Sequence, residues 1–494
     1  VLTPQAVRIA GEVAVTAPED LILKPVGMEP ITLPAKDLRL SIAATADRTT
    51  GDTSLTAEVS PLSLRQPGWD IADGGITVDV AHGAEKSQTQ IRLRDLRVAQ
   101  TGQQKLVVPL VVSGDMDMDN ALVKFTGRAV GANGRLDLRL KGNHAIAENT
   151  GEIHFEMRPL TVGKGGAKAT DIFPILLGSA HIAQGTAAVD GTARWSEKGL
   201  RADATLDLTN WVMRLSPRAT GIDGGVRLAG ENISLTARGR PGKRGMATSG
   251  NVILKKVSLE ALETIASGVN GKITLSSLWP LATPKGQKIT IDEVDVGLPL
   301  TDGHVIFQAG RNASFTLEQA RLGLFSGDVT VSDISFAPGK PIPPINLRVT
   351  GVDLAQLLAL VESQEVEGTG LLDGILPLTV KDGDIAITDG RLVAREEGTF
   401  RYVPPAAGPN EATDMVADAL SDLRYNQLTM TVNGTAGGDM AMLLNLKGHN
   451  PNFLGGHPVD LNFKIEGELL GLARQGARGF GLPADALRGL GRQK

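Results

Sequence analysis

The chain has 494 residues, of which 41% are hydrophobic but only 3% aromatic, and its formal net charge is -5. Acidic and basic residues are interspersed, which excludes the basic stripe typical of nucleic-acid-binding proteins. The absence of cysteine excludes disulfides, thiolate nucleophiles and sulfur-ligated metal sites. No run approaches the ~20 apolar residues of a membrane-spanning helix, so a soluble chain is expected, and any anchoring segment would precede Val1.

Strict alternation of apolar and polar residues is the main structural signal along the chain. In residues 135–141, Leu136, Leu138 and Leu140 alternate with charged residues, and the same pattern marks residues 76–80, 294–300 and 459–466. Successive side chains of a strand point to opposite faces, so this period predicts sheets with one apolar and one solvated face. Such sheets are usually antiparallel.

Asp-Gly and Asn-Gly pairs recur at the spacing expected of hairpin turns. They lie at residues 73–74, 133–134, 190–191, 223–224, 270–271, 302–303, 373–374, 382–383, 389–390 and 433–434. We expect on the order of 30 to 40 strands, which at ~4.8 Å per strand would make a sheet roughly 150 to 190 Å long. The predicted fold is all-β, with a long antiparallel meander curled into an elongated trough.

Few segments have helical spacing. Residues 353–363 place four aliphatic side chains on one face behind Asp353, a residue type that caps helices. Residues 258–268 and 413–423 are also predicted helices, whereas the tail after residue 468 is interrupted by glycine and proline. The predicted division is an N-terminal trough (1–250), a C-terminal trough with short helices (251–475) and a tail (476–494).

No pattern of catalytic or metal-binding residues stands out. The seven histidines lack metal-ligand spacing, and His449 and His457 bracket a turn-rich loop. Asp115, Asp117 and Asp119 begin like a calcium loop but lack its glycine and its final glutamate. We therefore predict no catalytic residue, no metal and no cofactor, and a protein that is not an enzyme.

Several segments together resemble the C-terminal part of YdbH-type proteins, which belong to the AsmA-like superfamily of Gram-negative envelope proteins. They are residues 275–307 with a Leu-Trp-Pro loop, 324–331, 347–360, the Asp-Gly-rich stretch 368–402 and the Asn-Pro loop and strand of 450–467. The resemblance is specific over about residues 250–475, and elsewhere only the strand texture agrees. The family's domain has also been labelled dicarboxylate transport, which fits poorly because the chain contains no membrane-spanning path.

The resemblance implies a periplasmic protein that moves phospholipid between the inner and outer membranes. It also implies an N-terminal inner-membrane anchor, which is expected to precede Val1, and a small outer-membrane lipoprotein partner. We predict that this partner pairs with the C-terminal sheet edge, near Asn462 and Lys464.

Three hypotheses follow, of which the first is a lipid conduit lined by aliphatic side chains. The predicted lining residues are Val294, Val296, Leu298, Leu300, Leu376, Leu378, Val459, Leu461, Phe463 and Ile465. The second is a filled β-solenoid that serves as an envelope scaffold and recruits partners by strand addition. The third is an enzyme that acts on envelope polysaccharide through a carboxylate pair ~5 to 9.5 Å apart.

Overall fold

The structure, a computed structural model, comprises two compact units, Val1–Ile253 and Leu254–Lys494. We call them the N-terminal unit and the C-terminal unit. The structure describes residues 6–15, 21–23, 31–33, 38–47, 49–66, 69–83, 87–101, 108–119, 121–131, 133–163, 166–171, 180–217, 224–242, 245–261, 264–278, 280–296, 298–311, 314–337, 341–359, 366–381, 384–402, 411–435 and 440–467.

Strands make up most of the N-terminal unit. They are β1 (Ala6–Val15), β2 (Leu21–Leu23), β3 (Ile31–Leu33), β4 (Leu38–Asp47), β5 (Thr53–Gln66), β6 (Trp69–His82), β7 (Ser87–Gln100), β8 (Leu110–Asp119), β9 (Leu122–Gly131), β10 (Asp137–Ala145), β11 (Thr150–Gly163), β12 (Ala180–Ser196), β13 (Gly199–Leu215) and β14 (Val226–Gly242). A 3-10 turn covers Ala169–Asp171, and the strand β15 (Gly245–Ala261) contains the boundary between the units.

The C-terminal unit adds two short α-helices to its strands. Its strands are β16 (Thr264–Leu275), β17 (Ser277–Leu278), β18 (Leu281–Ala282), β19 (Gln287–Asp295), β20 (Pro299–Ala309), β21 (Phe315–Leu324), β22 (Gly327–Phe336), β23 (Ile345–Asp353), β24 (Val366–Gly368), β25 (Leu371–Lys381), β26 (Asp384–Ala394), β27 (Gly398–Tyr402), β28 (Leu423–Thr435), β29 (Met440–His449) and β30 (Pro458–Gly467). The helices are α1 (Leu354–Leu358) and α2 (Glu411–Leu420), and a 3-10 turn covers Leu454–Gly456.

The strand pairing is that of an antiparallel meander. Each strand from β4 to β14 pairs antiparallel with the next along the chain. In the C-terminal unit the ladder runs through β16, β19, β20, β21, β22, β23, β25, β26, β28, β29 and β30, while β24 and β27 pair beside it. Among the described residues, no pairing closes either unit's ladder on itself, as an open trough requires. The predicted all-β class and antiparallel meander are confirmed.

Most of the Asp-Gly and Asn-Gly pairs lie inside strands, so their prediction as hairpin turns was wrong. Asp73, Asp302 and Asp389 have φ of 63°, 50° and 52°, and the register of their strands shifts nearby. The tolerance of positive φ that suits these residues to turns serves β-bulges here. The pair at 133–134 joins β9 and β10. Gly224 lies in a turn before β14, while Asp223 and the pair at 382–383 lie outside the described residues. Strands therefore run through most of these pairs, and the longest have 17 residues.

The helix predictions met different outcomes. The α1 helix begins directly after Asp353, whose Oδ1 accepts a hydrogen bond from the Ala355 N–H at 2.8 Å, as predicted, and α2 covers most of 413–423. The prediction of a helix over 258–268 was wrong, because this segment forms the end of β15 and the start of β16. Backbone pairing of β16 with β19, including Ala266 with Val294, outweighs the helical spacing of the leucines.

Residues 294–300 form a hairpin, whereas a single alternating strand was expected. β19 ends at Asp295 and β20 begins at Pro299, so Val294 faces Leu300 on the neighbouring strand. Val296 and Leu298 lie in the connection, where the Val296 N–H contacts the Leu298 carbonyl at 3.4 Å. Proline is a turn-forming residue type, and Pro299 lies directly after this connection.

A fully buried core lies in the C-terminal unit, where α1 and α2 supply aliphatic side chains to the sheet. We call it the C-terminal core; its fully buried members include Leu354, Leu358, Leu372, Phe400, Leu420, Leu423, Tyr425, Leu428, Met430 and Leu444. Leu354 and Leu358 are four residues apart, which places both on one face of α1. In the described residues, no helix is long and apolar enough to cross a membrane.

Candidate functional site

One face of the N-terminal unit carries apolar rows that cross ten consecutive strands, β5 to β14. We call it the inner face. One row consists of Val59, Ile76, Leu93, Gly114, Gly127, Leu140, Phe155, Gly191, Ala204 and Ala237. A second, two residues away, consists of Ala57, Val78, Ile91, Met116, Phe125, Gly142, Ile153, Ala193 and Ala202. Ten strands span roughly 45 Å of sheet.

Between these two rows, the opposite face carries only polar side chains over the same ten strands. This row is Glu58, Thr77, Arg92, Asp115, Thr126, Lys141, His154, Thr192, Asp203 and Arg238. We call this face the outer face. Asp115 belongs to it and is exposed. The division into apolar and polar faces is therefore continuous from strand to strand.

The side chains of the inner face are only partly covered. Nearly all members of the two apolar rows are half-buried, including Phe125, Leu140 and Phe155. In the C-terminal core, by contrast, Leu428 and Leu444 are 0% exposed. The inner face of the N-terminal unit thus retains apolar surface that protein side chains leave accessible.

Aromatic rings of the inner face lie flat over glycines of adjacent positions. A methyl group placed on Gly127 would lie 2.5 Å from Cζ of Phe125, and one on Gly191 would lie 2.8 Å from Cε2 of Phe155. These positions require glycine because any side chain would occupy the volume of the ring. The rings therefore lie close to the backbone of the sheet and do not project far from the inner face.

Ion pairs join side chains of adjacent strands on the outer face. Oδ1 and Oδ2 of Asp137 accept hydrogen bonds from Nε and Nη2 of Arg128 at 2.6 and 2.8 Å, and Nη1 of Arg158 also lies 3.3 Å from Oδ2. The hydrogen bond from Arg128 lowers the pKa of Asp137, which keeps that carboxylate charged. Exposed pairs of this kind contribute at most about 1 kcal/mol each, so their main role is to define the wet side.

The residues predicted to line a groove lie in three places in the C-terminal unit. Val294 and Leu300 are half-buried partners in the β19–β20 hairpin, and Val296 and Leu298 are half-buried in its turn. Leu376 and Leu378 belong to β25, where Leu378 pairs with Ile345. Val459, Leu461 and Ile465 alternate with exposed residues along β30, as predicted, whereas the side chain of Phe463 lies outside the described set.

Protein side chains already cover part of this predicted lining. Ile465, 7% exposed, belongs to the C-terminal core, and Leu300, Leu376, Val459 and Leu461 pack against it. The sequence list missed the half-buried rows of the N-terminal unit. The alternation around Leu138 and Leu140 signalled them, but only the register reveals that they join across ten strands.

β30 lies at an edge of the C-terminal ladder. Among the described residues it pairs with β29 alone, and Asn462 and Lys464 are exposed on it. Nδ2 of Asn445 donates a hydrogen bond to Oδ1 of Asn462 at 3.0 Å, and Lys464 forms an ion pair with Glu466. The main-chain groups on the far side of β30 thus have no strand partner within the described residues.

The described residues contain no group of histidine and acidic side chains that could hold a metal ion. Residues 3–482 match a family model whose description is YdbH-like, intermembrane phospholipid transport protein YdbH. No curated protein and no solved structure matches the chain.

Proposed function

This chain belongs to the YdbH-like family of intermembrane phospholipid transport proteins, and we propose that it carries phospholipids between the inner and outer membranes along an apolar groove. In this role it supports the lipid balance of the outer membrane. The family membership places the protein's work between two membranes, which suggests the periplasm. The continuous groove, the path of the lipid and the partners are our proposals.

The observation that carries the proposal is the division of the N-terminal sheet into apolar rows and a wholly polar row across ten strands. Each methylene of an acyl chain that leaves water gains about 0.8 kcal/mol. An accessible apolar face therefore holds acyl chains without polar anchors, and a chain bound in this way can slide. The headgroup stays in water at the edge of the sheet.

In the C-terminal unit we propose that Val294, Val296, Leu298, Leu300, Leu376, Leu378, Val459, Leu461, Phe463 and Ile465 help to line the groove. We further propose an inner-membrane anchor that precedes Val1 in the full-length protein. A small outer-membrane lipoprotein would pair with β30 beside Asn462 and Lys464, whose strand has a free edge within the described residues.

A matched pair of photocrosslinking probes on β11 tests the groove. p-Benzoylphenylalanine in place of Phe155 lies on the inner face, and in place of His154 it lies on the outer face one residue away. We expect covalent phospholipid adducts, detected by mass spectrometry, at position 155 and at most background at 154. Equal adducts at both positions, or none at 155, would contradict the conduit.

Probes at Asn462 and Lys464 test the partner edge separately. We expect both to capture one small lipoprotein in intact cells, because a strand added to β30 passes within reach of both side chains. A probe at Arg424, an exposed residue of the interior strand β28, serves as the control. Capture of unrelated proteins alone at 462 and 464 would contradict this edge assignment.

The C-terminal core favours a second candidate, an envelope scaffold that recruits partners by strand addition. Several predicted lining residues contact protein side chains there, as in a filled solenoid. This candidate predicts purified protein free of phospholipid together with normal capture at position 462, so the two experiments above discriminate the two functions.

A further inference from the structure

A break in the C-terminal sheet lies between β22 and β23. These strands pair only at Asp328 with Thr350, Val329 with Val349 and Thr330 with Arg348. Beyond that point β22 continues to Phe336 in register with β21, while β23 pairs with β25 on its other side. The two strands therefore diverge, and the sheet has a gap between them.

A cavity of about 360 Å³ occupies this break. Its lining includes hydrogen-bonding residues, Thr330, Ser332, Asn346 and Arg348, together with Ile334 and Ile375. Ile334 is 5% exposed and pairs with Leu317 in the ladder, whereas Ser332, Asn346 and Arg348 are exposed. The cavity thus extends from a water-exposed polar rim to a buried aliphatic residue.

Two arginines lie at and beside this cavity. Arg348 faces Ile375 across the β23–β25 pair, and Ile375 faces Arg391 across the β25–β26 pair. Both arginines are exposed, and neither side chain has an ion-pair or hydrogen-bond partner among the described residues. Arg348 and Asp333 are the charged residues of the lining, and Arg391, outside the lining, adds a second positive charge beside Ile375.

We propose that this cavity binds the phosphodiester headgroup of a lipid whose acyl chains lie on the apolar side of the sheet. The proposal rests on the lipid conduit proposed above and adds a place where the headgroup crosses the sheet. Guanidinium groups and hydroxyls are the donors that recognise phosphate oxygens. A free phosphate would use the same donors but would gain nothing from Ile334 or from Ile375, which is 42% exposed between the two arginines.

The test uses the full chain with p-benzoylphenylalanine in place of Asn346 and phosphatidylglycerol vesicles as the probe. Arg348→Gln removes the donor fork, and Arg424→Gln removes an equally exposed arginine without an ion-pair partner in the described residues, on β28. We expect the lipid adduct at position 346, at subsaturating lipid, to fall roughly tenfold with Arg348→Gln, since hydrogen bonds to charged groups contribute on the order of 1.5 kcal/mol or more. The adduct should be unchanged with Arg424→Gln.

An adduct at position 346 that survives Arg348→Gln unchanged would overturn the headgroup site. Millimolar inorganic phosphate that abolishes this adduct would also overturn it, by identifying a bare anion site. The probe at Phe155 separates this proposal from the conduit. Adducts at 155 without adducts at 346 retire the headgroup site alone, and adducts at 346 without adducts at 155 support it while contradicting the conduit.

Discussion

The effect of replacing a strand glycine of the N-terminal unit depends on the atoms that surround its Cα. In the row that contains Phe155, Gly191 lies beneath the phenyl ring. A methyl group added to Gly191 would lie 2.7 Å from the carbonyl oxygen of Asp203. Gly75, on β6, is different, because the nearest atoms to an added methyl group lie 3.6 Å away on Ser60 and Val59. The sequence alone does not distinguish the packing around these two glycines.

We predict that Gly191→Ala lowers the free energy of unfolding by about 2 kcal/mol, since overpacking a filled position forces the ring or the strand to move. Gly75→Ala should change it by less than about 0.5 kcal/mol. Denaturant unfolding of both variants measures the difference. Equal effects would mean that the ring over Gly191 moves aside without cost.

Asp373 was expected to form a turn and has a different role. Its carboxylate accepts hydrogen bonds from Nε of Arg395 at 2.6 Å and from the Gly351 N–H at 2.7 Å, and so ties β25 to β23 and to the residue that follows β26. The hydrogen bond from Arg395, followed by that from Gly351, holds the pKa of Asp373 below its usual value. A lowered pKa means that the folded state favours the charged carboxylate.

Asp373→Asn should therefore destabilise the protein at neutral pH by about 1 kcal/mol. This difference between wild type and variant should persist down to about pH 4, the unfolded value, and fade as the pH falls further through the lowered pKa. Urea unfolding from pH 7 to pH 3 measures it. A difference that is constant over this range would show that the charge of Asp373 has no part in the stability.

At the scale of elements, the strands were predictable and their ends were not. Alternation at 135–141 and 459–466 gave the correct faces because a half-buried strand imposes that period. The Asp-Gly pairs misled because positive φ suits a bulge as well as a turn, and only the paired neighbour decides between them. The segment 258–268 was misassigned for the same reason, since its pairing with β19 is a nonlocal interaction.

The α2 helix is held on the sheet by a residue distant in sequence. Nδ2 of Asn450 donates hydrogen bonds to the carbonyls of Asp418 at 2.8 Å and Ala419 at 3.3 Å, and Asn450 is 0% exposed. These carbonyls belong to the last turn of α2, where the carbonyls have no i+4 donor within the helix. The carbonyl of Asp418 also accepts a hydrogen bond from Oγ of Ser421 at 2.8 Å. No sequence pattern indicated this contact, because the pair is 32 residues apart.

Asn450→Ala should lower the free energy of unfolding by about 2 kcal/mol, since it leaves the buried carbonyl of Ala419 without its side-chain donor. Asn452→Ala, at an exposed position two residues on, is the matched control and should cost little. Hydrogen exchange should locate the loss in α2 and β28. Uniformly faster exchange across the C-terminal unit would argue against a cap that acts on α2.

At the scale of the whole molecule, the two units differ in how their apolar side chains are used. The N-terminal unit leaves half-buried rows such as those of Leu140 and Phe155 beside buried residues such as Trp211, whereas the C-terminal unit gathers Leu354 and Leu428 in one fully buried core. The sequence could not distinguish these uses, because aliphatic residues at period two line a groove and fill a core equally well. Accordingly, one of the lining residues proposed from sequence, Ile465, belongs to the C-terminal core, and four others pack against it.

A charged side chain on the inner face should therefore weaken phospholipid binding without preventing folding. We predict that Leu140→Asp reduces the phospholipid bound per chain at least tenfold, because a carboxylate beside Phe155 must lose its hydration whenever an acyl chain passes. Lys141→Asp places the same charge one residue away on the outer face, where it stays in water, and should leave binding unchanged. Mass spectrometry of the purified protein measures bound lipid, and the envelope lipid balance of cells that carry each variant reports transport. Circular dichroism must give the same strand content for both variants, and equal lipid binding by two folded variants would remove the inner face from the transport path.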